Sequence, residues 1–145
     1  AAAHIGVAGA LTPVLVALNR RFGHVPPAAE QIVADVLNLS RADVACAISF
    51  YSDFRTRPPG AVVVQICRSE ACQAAGGDAL AAHAETQLGC AFGETSGDGA
   101  ATLDAVYCFG NCALAPAAAV NGRLLGRTSM TLLDAAIADA GALPE

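Results

Sequence analysis

The chain has 145 residues, a length that holds one domain or two very small ones. Apolar residues make up 54% and charged residues 14%, but no stretch of eighteen is continuously apolar and free of Gly, Pro and polar residues, so no membrane span is expected. Net charge is −5, Arg supplies all eight positive charges without forming a basic stripe, and Trp is absent, which gives nucleic-acid binding little support.

The opening "AAAHIGVAGALTPVL" is Ala-rich and lacks the Lys/Arg-containing start of a secretory signal, so a cytoplasmic location is expected. "LTPVLVALNRRFG" (11–23) then places Leu11, Val14, Leu15, Leu18 and Phe22 at helical spacing, with Thr12 as the expected N-cap before Pro13 and Gly23 as the stop. "PPAAEQIVADVLN" (26–38) opens on prolines and predicts a helix with Ile32, Val33, Val36 and Leu37 on one face. "SRADVACAISFY" (40–51) begins with Ser40 and has Asp43 three residues on, a variant of the capping box. Three short amphipathic helices make a bundle that is small to stand alone, so it is expected to pack on the rest of the chain or on a partner. "SDFRTRPPGA" (52–61) is a break, and Pro58-Pro59-Gly60 reads as a linker. The expected organisation is a helical segment over 1–57 and a second domain over 58–145.

Beyond the break the period changes. "AVVVQIC" (61–67) is a β-branched run, read as a buried strand ending at Cys67. Ser69 is expected to cap a short helical turn carrying Cys72. Gly76-Gly77 interrupts, and "DALAAHAETQLG" (78–89) is a helix with a Gly stop. "FGETSGDGA" (92–100) reads as a loop, and "TLDAVYC" (102–108) as a second strand ending at Cys108. "AAAVNGRLLG" (117–126) reads as two short strands around Asn121-Gly122, a strong hairpin signal, and "SMTLLDAAIADAG" (129–141) as a final capped helix. The order β-α-β-β-α after a helical leader predicts a small α/β layer fold.

Six cysteines are too few for a disulfide scaffold, and cytosolic thiols stay reduced, so grouped cysteines point to metal or redox chemistry. "CRSEAC" sets Cys67 and Cys72 in C-x4-C spacing, and "CFGNC" sets Cys108 and Cys112 in C-x3-C spacing. Each pair begins where a predicted strand ends, so neighbouring strands would bring all four thiols to one sheet edge. A helix start near Cys72 and the glycines Gly76, Gly77 and Gly110 suit thiolates that accept backbone N–H groups. Zinc usually takes tighter C-x2-C knuckles, whereas a 2Fe–2S cluster spans two irons and tolerates wider spacing. The spacing favours the cluster and leaves zinc and redox thiols as alternatives.

C-x4-C, then C-x3-C followed by "APAAAVNGRLLGR", resembles the thioredoxin-like 2Fe–2S ferredoxin family, notably the small iron–sulfur subunit of NADH:quinone oxidoreductase. The helical leader with "FGHVP", the "SFYSDFRTRPPG" passage and "LGCAFGETSGDGATLD" fit as well, so the similarity covers nearly the whole chain. Within the family, "HVPPAAEQIVADVLNLSRADV", "FYSDFR" and "CRSEACQAAGGDALAAHAE" are most similar to the gamma subunit of NAD-dependent, molybdenum-containing formate dehydrogenases. The resemblance implies a thioredoxin-like domain behind a three-helix leader, with Cys67, Cys72, Cys108 and Cys112 ligating one 2Fe–2S cluster. It implies electron transfer beside a flavin- and NAD-binding subunit, in an assembly with a further iron–sulfur and molybdenum subunit. Two departures, Cys46 in place of another small residue and Ala117 to Ala119 where bulkier side chains are common, touch no implied ligand.

The remaining candidates read as ordinary. Cys46 is expected to be a buried small hydrophobe in its helix, and Cys90 a structural thiol after a helix stop. His4, His24 and His83 lack metal-ligand spacing. "GETSGDG" (93–99) follows no strand and has no Lys, so it is a poor phosphate loop. Arg55 and Arg57 are expected to be solvated. No paired carboxylates or nucleophile constellation suggests catalysis by this chain itself.

Overall fold

The computed structural model describes residues 9–141, which fall into two compact units separated between Pro58 and Pro59. The first unit holds α1 (Leu11–Phe22), α2 (Ala29–Leu37) and α3 (Arg41–Phe50). Its core is Val14, Leu15, Val25, Val33, Ala34, Val44, Ile48 and Phe54. Between α2 and α3 the chain reverses at Asn38, whose left-handed backbone returns its N–H to Ala34 and Asp35. Ser40 then starts α3 through the full reciprocal capping box: the Asp43 N–H donates to Ser40 Oγ at 3.1 Å, and the Ser40 N–H donates to Asp43 Oδ2 at 3.1 Å. The Ser40 hydroxyl, donating to Asp43 Oδ2 at 2.7 Å, and with it the Ser40 N–H hold the Asp43 carboxyl below the usual carboxylate range. The passage after α3 folds back on the unit, where the Val25 N–H donates to the Arg55 carbonyl at 2.7 Å and Asn19 Nδ2 to the Asp53 carbonyl at 3.1 Å.

Four expectations in this unit need correction. Thr12 is not a cap, because α1 already starts at Leu11 with Ala10 before it and no side-chain cap; Pro13 sits in the first turn, where its missing N–H costs nothing. Ile32 is 61% exposed while Val33 and Ala34 turn inward, so the buried face of α2 is offset from the expected one. Cys46 is exposed rather than buried, since Val44 and Ile48 define the inward side of α3 and residue 46 falls opposite. Arg55 is half-buried, and its loss of hydration pulls the guanidinium below its usual value against the opposing charge of Asp53. His4 lies outside the described residues.

The second unit is a five-stranded mixed sheet in the order β2-β3-β1-β4-β5, with β1 (Val62–Cys67), β2 (Glu94–Thr95), β3 (Ala101–Val106), β4 (Ala118–Val120) and β5 (Arg123–Leu125). β1 and β3 are parallel, in register from Val62↔Ala101 to Cys67↔Val106. The connection between them holds a three-residue helical turn α4 (Glu70–Cys72), a kinked turn (Gln73–Gly77) and α5 (Asp78–Leu88), as a parallel crossover requires. The other pairings are antiparallel. Val62, Val64 and Ile66 of β1 point to one face by strand alternation, where they join Leu103, Leu80, Ala81, Ala84 and, from α6 (Met130–Gly141), Leu133 and Ala136 in the core.

The 92–100 loop expectation also needs correction. Glu94–Thr95 is a short edge strand on β3, set between a turn at 92–93 and a second over 96–100, the latter closed by Asp98 accepting from Ser96 Oγ and the Ala100 N–H. A two-residue strand carries too little period to be read from sequence. Asn121-Gly122 forms the expected hairpin turn with positive φ at both residues. Asn121 also ties the hairpin to the central strand: its Oδ1 accepts from the Val63 N–H at 2.7 Å and its N–H donates to the Val63 carbonyl at 2.9 Å.

Candidate iron–sulfur site

Parallel pairing of β1 with β3 sets both cysteine pairs at the same sheet edge. Cys67 is the last residue of β1, opposite Val106, and Cys108 lies two residues beyond β3 rather than at its end. Cys72 is carried back toward the edge by α4, and Cys112 opens a 3-10 turn (Cys112–Leu114). Cys67 and Cys72 are buried beside Ala117, with Phe109 and Ala115 packed against them. Cys108 and Cys112 are exposed, their sulfurs 3.6 Å apart. Two thiolates sharing one tetrahedral metal at a metal–sulfur distance of about 2.3 Å lie about 3.8 Å apart, so this pair is close to ligand geometry. Among the described residues, no three His, Cys, Asp or Glu side chains converge as a single metal ion would need; the thiols are arranged as two pairs.

The backbone around the thiols is shaped to donate to sulfur. The Gly110 N–H donates to Cys108 Sγ at 3.2 Å, an arrangement helped by the positive φ of Gly110 and by φ +98° at Cys108 itself. A non-glycine residue in that region is uncommon and carries a strain cost that the surrounding structure must offset. Burial pushes the Cys67 thiol up, but hydrogen bonds from the Ser69 N–H, the Cys72 thiol, the Ser69 hydroxyl and the Phe109 N–H outweigh it, leaving the thiol below its ordinary range. Burial pushes Cys72 up, reinforced by its own donation to Cys67 and by the charges of Cys67 and Cys112, against an opposing Ala117 N–H. Cys112 is raised chiefly by its hydrogen bond and charge interaction with Cys108, with Cys67 contributing. Cys67, Cys72 and Cys112 thus feel one another across the two pairs.

Ser69 departs from its expected role. It has extended backbone angles before α4 but makes no side-chain cap, its hydroxyl serving the Cys67 sulfur instead. Its carbonyl receives the Cys72 and Gln73 N–H groups at 2.9 and 3.0 Å and so begins the helical turn through the backbone. Behind it, Arg68 is pinned by Asp78 at 3.3 Å and by the Phe92 ring at 5.2 Å. Gly76 breaks the helical run with φ +94°, as the double glycine suggested. The remaining candidates stay apart from the thiols. Cys90 packs at the edge of the main core, and burial raises its thiol. His24 bonds the Phe22 carbonyl at 2.9 Å, and His83 Nε2 meets Asp134 Oδ1 at 2.8 Å, linking α5 to α6.

Two thiol pairs at one sheet edge, with N–H donors on Cys67, Cys72 and Cys108, suit a soft, thiolate-bound and anionic group that spans the pairs, and this is the chemistry of an iron–sulfur cluster. The chain belongs to the thioredoxin-like [2Fe-2S] ferredoxin family, whose model matches residues 2–140. Its cofactor is one 2Fe–2S cluster. It is 37% identical over 126 residues to a subunit of the NADH-quinone oxidoreductase of Rhizobium meliloti (strain 1021), covering 87% of this chain and 75% of that protein. It is 32% identical over 121 residues to a subunit of the NADP-reducing hydrogenase of Solidesulfovibrio fructosivorans, covering 83% of this chain and 71% of that one. Of the corresponding NADH-quinone oxidoreductase subunit in Mycobacterium tuberculosis (strain ATCC 25618 / H37Rv), 36% identical over 112 residues, the chain spans only 44%. Among solved structures, NAD+-reducing [NiFe]-hydrogenase in the H2-reduced state matches with a TM-score of 0.75 and 25% identity, covering 90% of this chain and 22% of that one. No helix of the described residues is long and apolar enough to cross a membrane.

Proposed function

We propose that Cys67, Cys72, Cys108 and Cys112 ligate the 2Fe–2S cluster, and that the chain is a non-catalytic electron-transfer subunit of an NAD-dependent oxidoreductase. Residues 58–145 are the cluster-bearing domain and residues 1–57 a separate helical segment. The observation that carries this reading is the arrival of both cysteine pairs at one edge of the parallel β1–β3 pair, with N–H donors aimed at Cys67, Cys72 and Cys108. When bound, the cluster supplies a one-electron redox centre, which a two-electron flavin needs as a neighbour. The chain's own part is to hold the thiolates, to place N–H groups against them and to leave the Cys108–Cys112 side open to solvent.

We further propose that the chain works beside a flavin- and NAD-binding partner in a cytoplasmic NAD-dependent formate dehydrogenase, with a further iron–sulfur and molybdenum subunit in the assembly. Support comes from "HVPPAAEQIVADVLNLSRADV", "FYSDFR" and "CRSEACQAAGGDALAAHAE". The names of the relatives favour a second reading, the corresponding subunit of an NADH:quinone oxidoreductase or NAD-linked hydrogenase. Copurification from native extract distinguishes them: formate-dependent NAD+ reduction in the fraction that contains the chain supports the first, and quinone- or hydrogen-dependent turnover the second. The ligand assignment is tested by anaerobic purification with iron, sulfide and zinc analysis and EPR. Single Cys→Ala changes at 67, 72, 108 and 112 are expected to remove or distort the dithionite-reduced signal, while Cys46→Ala and Cys90→Ala keep it. A colourless protein with one bound zinc would leave a zinc-stabilised interaction module instead.

A further inference from the structure

We propose that Gly77 and Gly126, which lie outside both cysteine motifs, are positioning residues of the cluster cradle, Gly77 leaving the space in which Cys72 is seated and Gly126 the space taken by the turn that carries Cys112. The inference rests on the reading of Cys72 and Cys112 as ligands.

Gly77 is buried and has ordinary right-handed helical angles, φ −60° and ψ −27°, so no backbone requirement explains a glycine there. Glycine is also a poorer helix former than alanine. The explanation is steric. The kink at Ala75 and Gly76, where the backbone leaves helical angles, brings Gly77 back against Cys72, five positions earlier. A Cβ at 77 would lie 2.6 Å from the Cys72 carbonyl oxygen and 2.8 Å from its carbonyl carbon. Both are backbone atoms, so Cys72 itself would have to move.

Gly126 plays the matching part under the other pair. A Cβ there would lie 2.8 Å from Leu114 Cβ and 3.0 Å from Asn111 Nδ2. Asn111 and Leu114 flank Cys112 and hold its 3-10 turn, with the Leu114 N–H donating to the Asn111 carbonyl at 3.0 Å. The next residue fastens that turn to the strand, since the Arg127 N–H donates to the Leu114 carbonyl at 2.6 Å. The turn therefore cannot lift away from residue 126 without breaking this bond, and an added methyl would displace Cys112 relative to Cys108.

Gly60 is the control. A Cβ there would lie 2.7 Å from the Ala101 carbonyl carbon, a clash of the same severity, but before the start of β1 and so at the far end of that strand from Cys67. The test compares the full chain, cluster-loaded, as wild type, Gly77→Ala, Gly126→Ala and Gly60→Ala. The readouts are the EPR g-values of the reduced cluster, the rate of cluster loss to an iron chelator and the urea midpoint. Gly77→Ala and Gly126→Ala are expected to shift the g-values and to lose the cluster about 10-fold faster or more. Gly60→Ala should lower the urea midpoint while keeping the wild-type spectrum and chelation rate. Wild-type spectra and rates in both Gly77→Ala and Gly126→Ala would overturn the proposal, as would equal changes in Gly60→Ala. A wild-type chain that takes up no cluster would overturn the underlying ligand reading, and this inference with it.

Discussion

Cys108 is held at φ +98°, and that backbone state can be tested apart from the cluster. A left-handed backbone costs an L residue about 1–2 kcal/mol, a penalty glycine escapes. Glycine's extra freedom in the unfolded chain takes back about 0.5–1 kcal/mol of that advantage. In the cluster-free chain, Cys108→Gly should therefore be more stable than Cys108→Ala by about 0.5–1 kcal/mol. The comparison is clean because both variants lose the Gly110 N–H bond and the Cys112 contact, and because the side chain is exposed and leaves no core cavity. Urea unfolding is the assay. With a slope of about 1–3 kcal/mol per molar, the glycine variant should unfold at a midpoint about 0.2–1 M higher. Equal midpoints, or a more stable alanine variant, would show that the segment relaxes without the thiol and that no strain is stored at this position.

Asn121→Gly should cost about 1 kcal/mol for the lost bond to the Val63 N–H, and Asn121→Ala about 0.5–1 kcal/mol more for its left-handed backbone, read by urea unfolding; equal losses would show that φ at 121 is not fixed. Cys90, raised by burial, should make the cluster-free chain lose stability as pH climbs past about 8.5, because the unfolded thiol ionises there while the folded one resists. Cys72 and Cys112 share that sign and Cys67 opposes it, so Cys90→Ala should flatten the fall without abolishing it. A steeper fall in Cys90→Ala would contradict the assignment. A double-mutant cycle on Arg68 and Asp78 should give a coupling below about 1 kcal/mol, shrinking with salt, because the Asp78 side chain is two-thirds exposed.

What was legible in the sequence was what depends on near neighbours along the chain. The β-branched run "VVVQI" makes β1, Asn121-Gly122 makes the hairpin, and Ser40 with Asp43 starts α3, because each of these signals acts within a few residues. The cysteine spacings belong to the same class, since C-x4-C and C-x3-C describe two local turns. Tertiary structure decided the rest. Parallel pairing of β1 with β3 joins two segments separated by a whole helix, and this is what brings Cys67 and Cys72 to Cys112. The inward side of α3 depended on where the other helices lay, so Cys46 surfaced. Ser69 turned from helix cap to hydrogen-bond donor for sulfur because the fold sets its hydroxyl against the buried Cys67 thiol. In one dimension Gly126 looks like ordinary chain punctuation and Gly77 like a place for N–H groups to approach sulfur; only the folded chain puts Cys72 and the Cys112 turn where a side chain would have been.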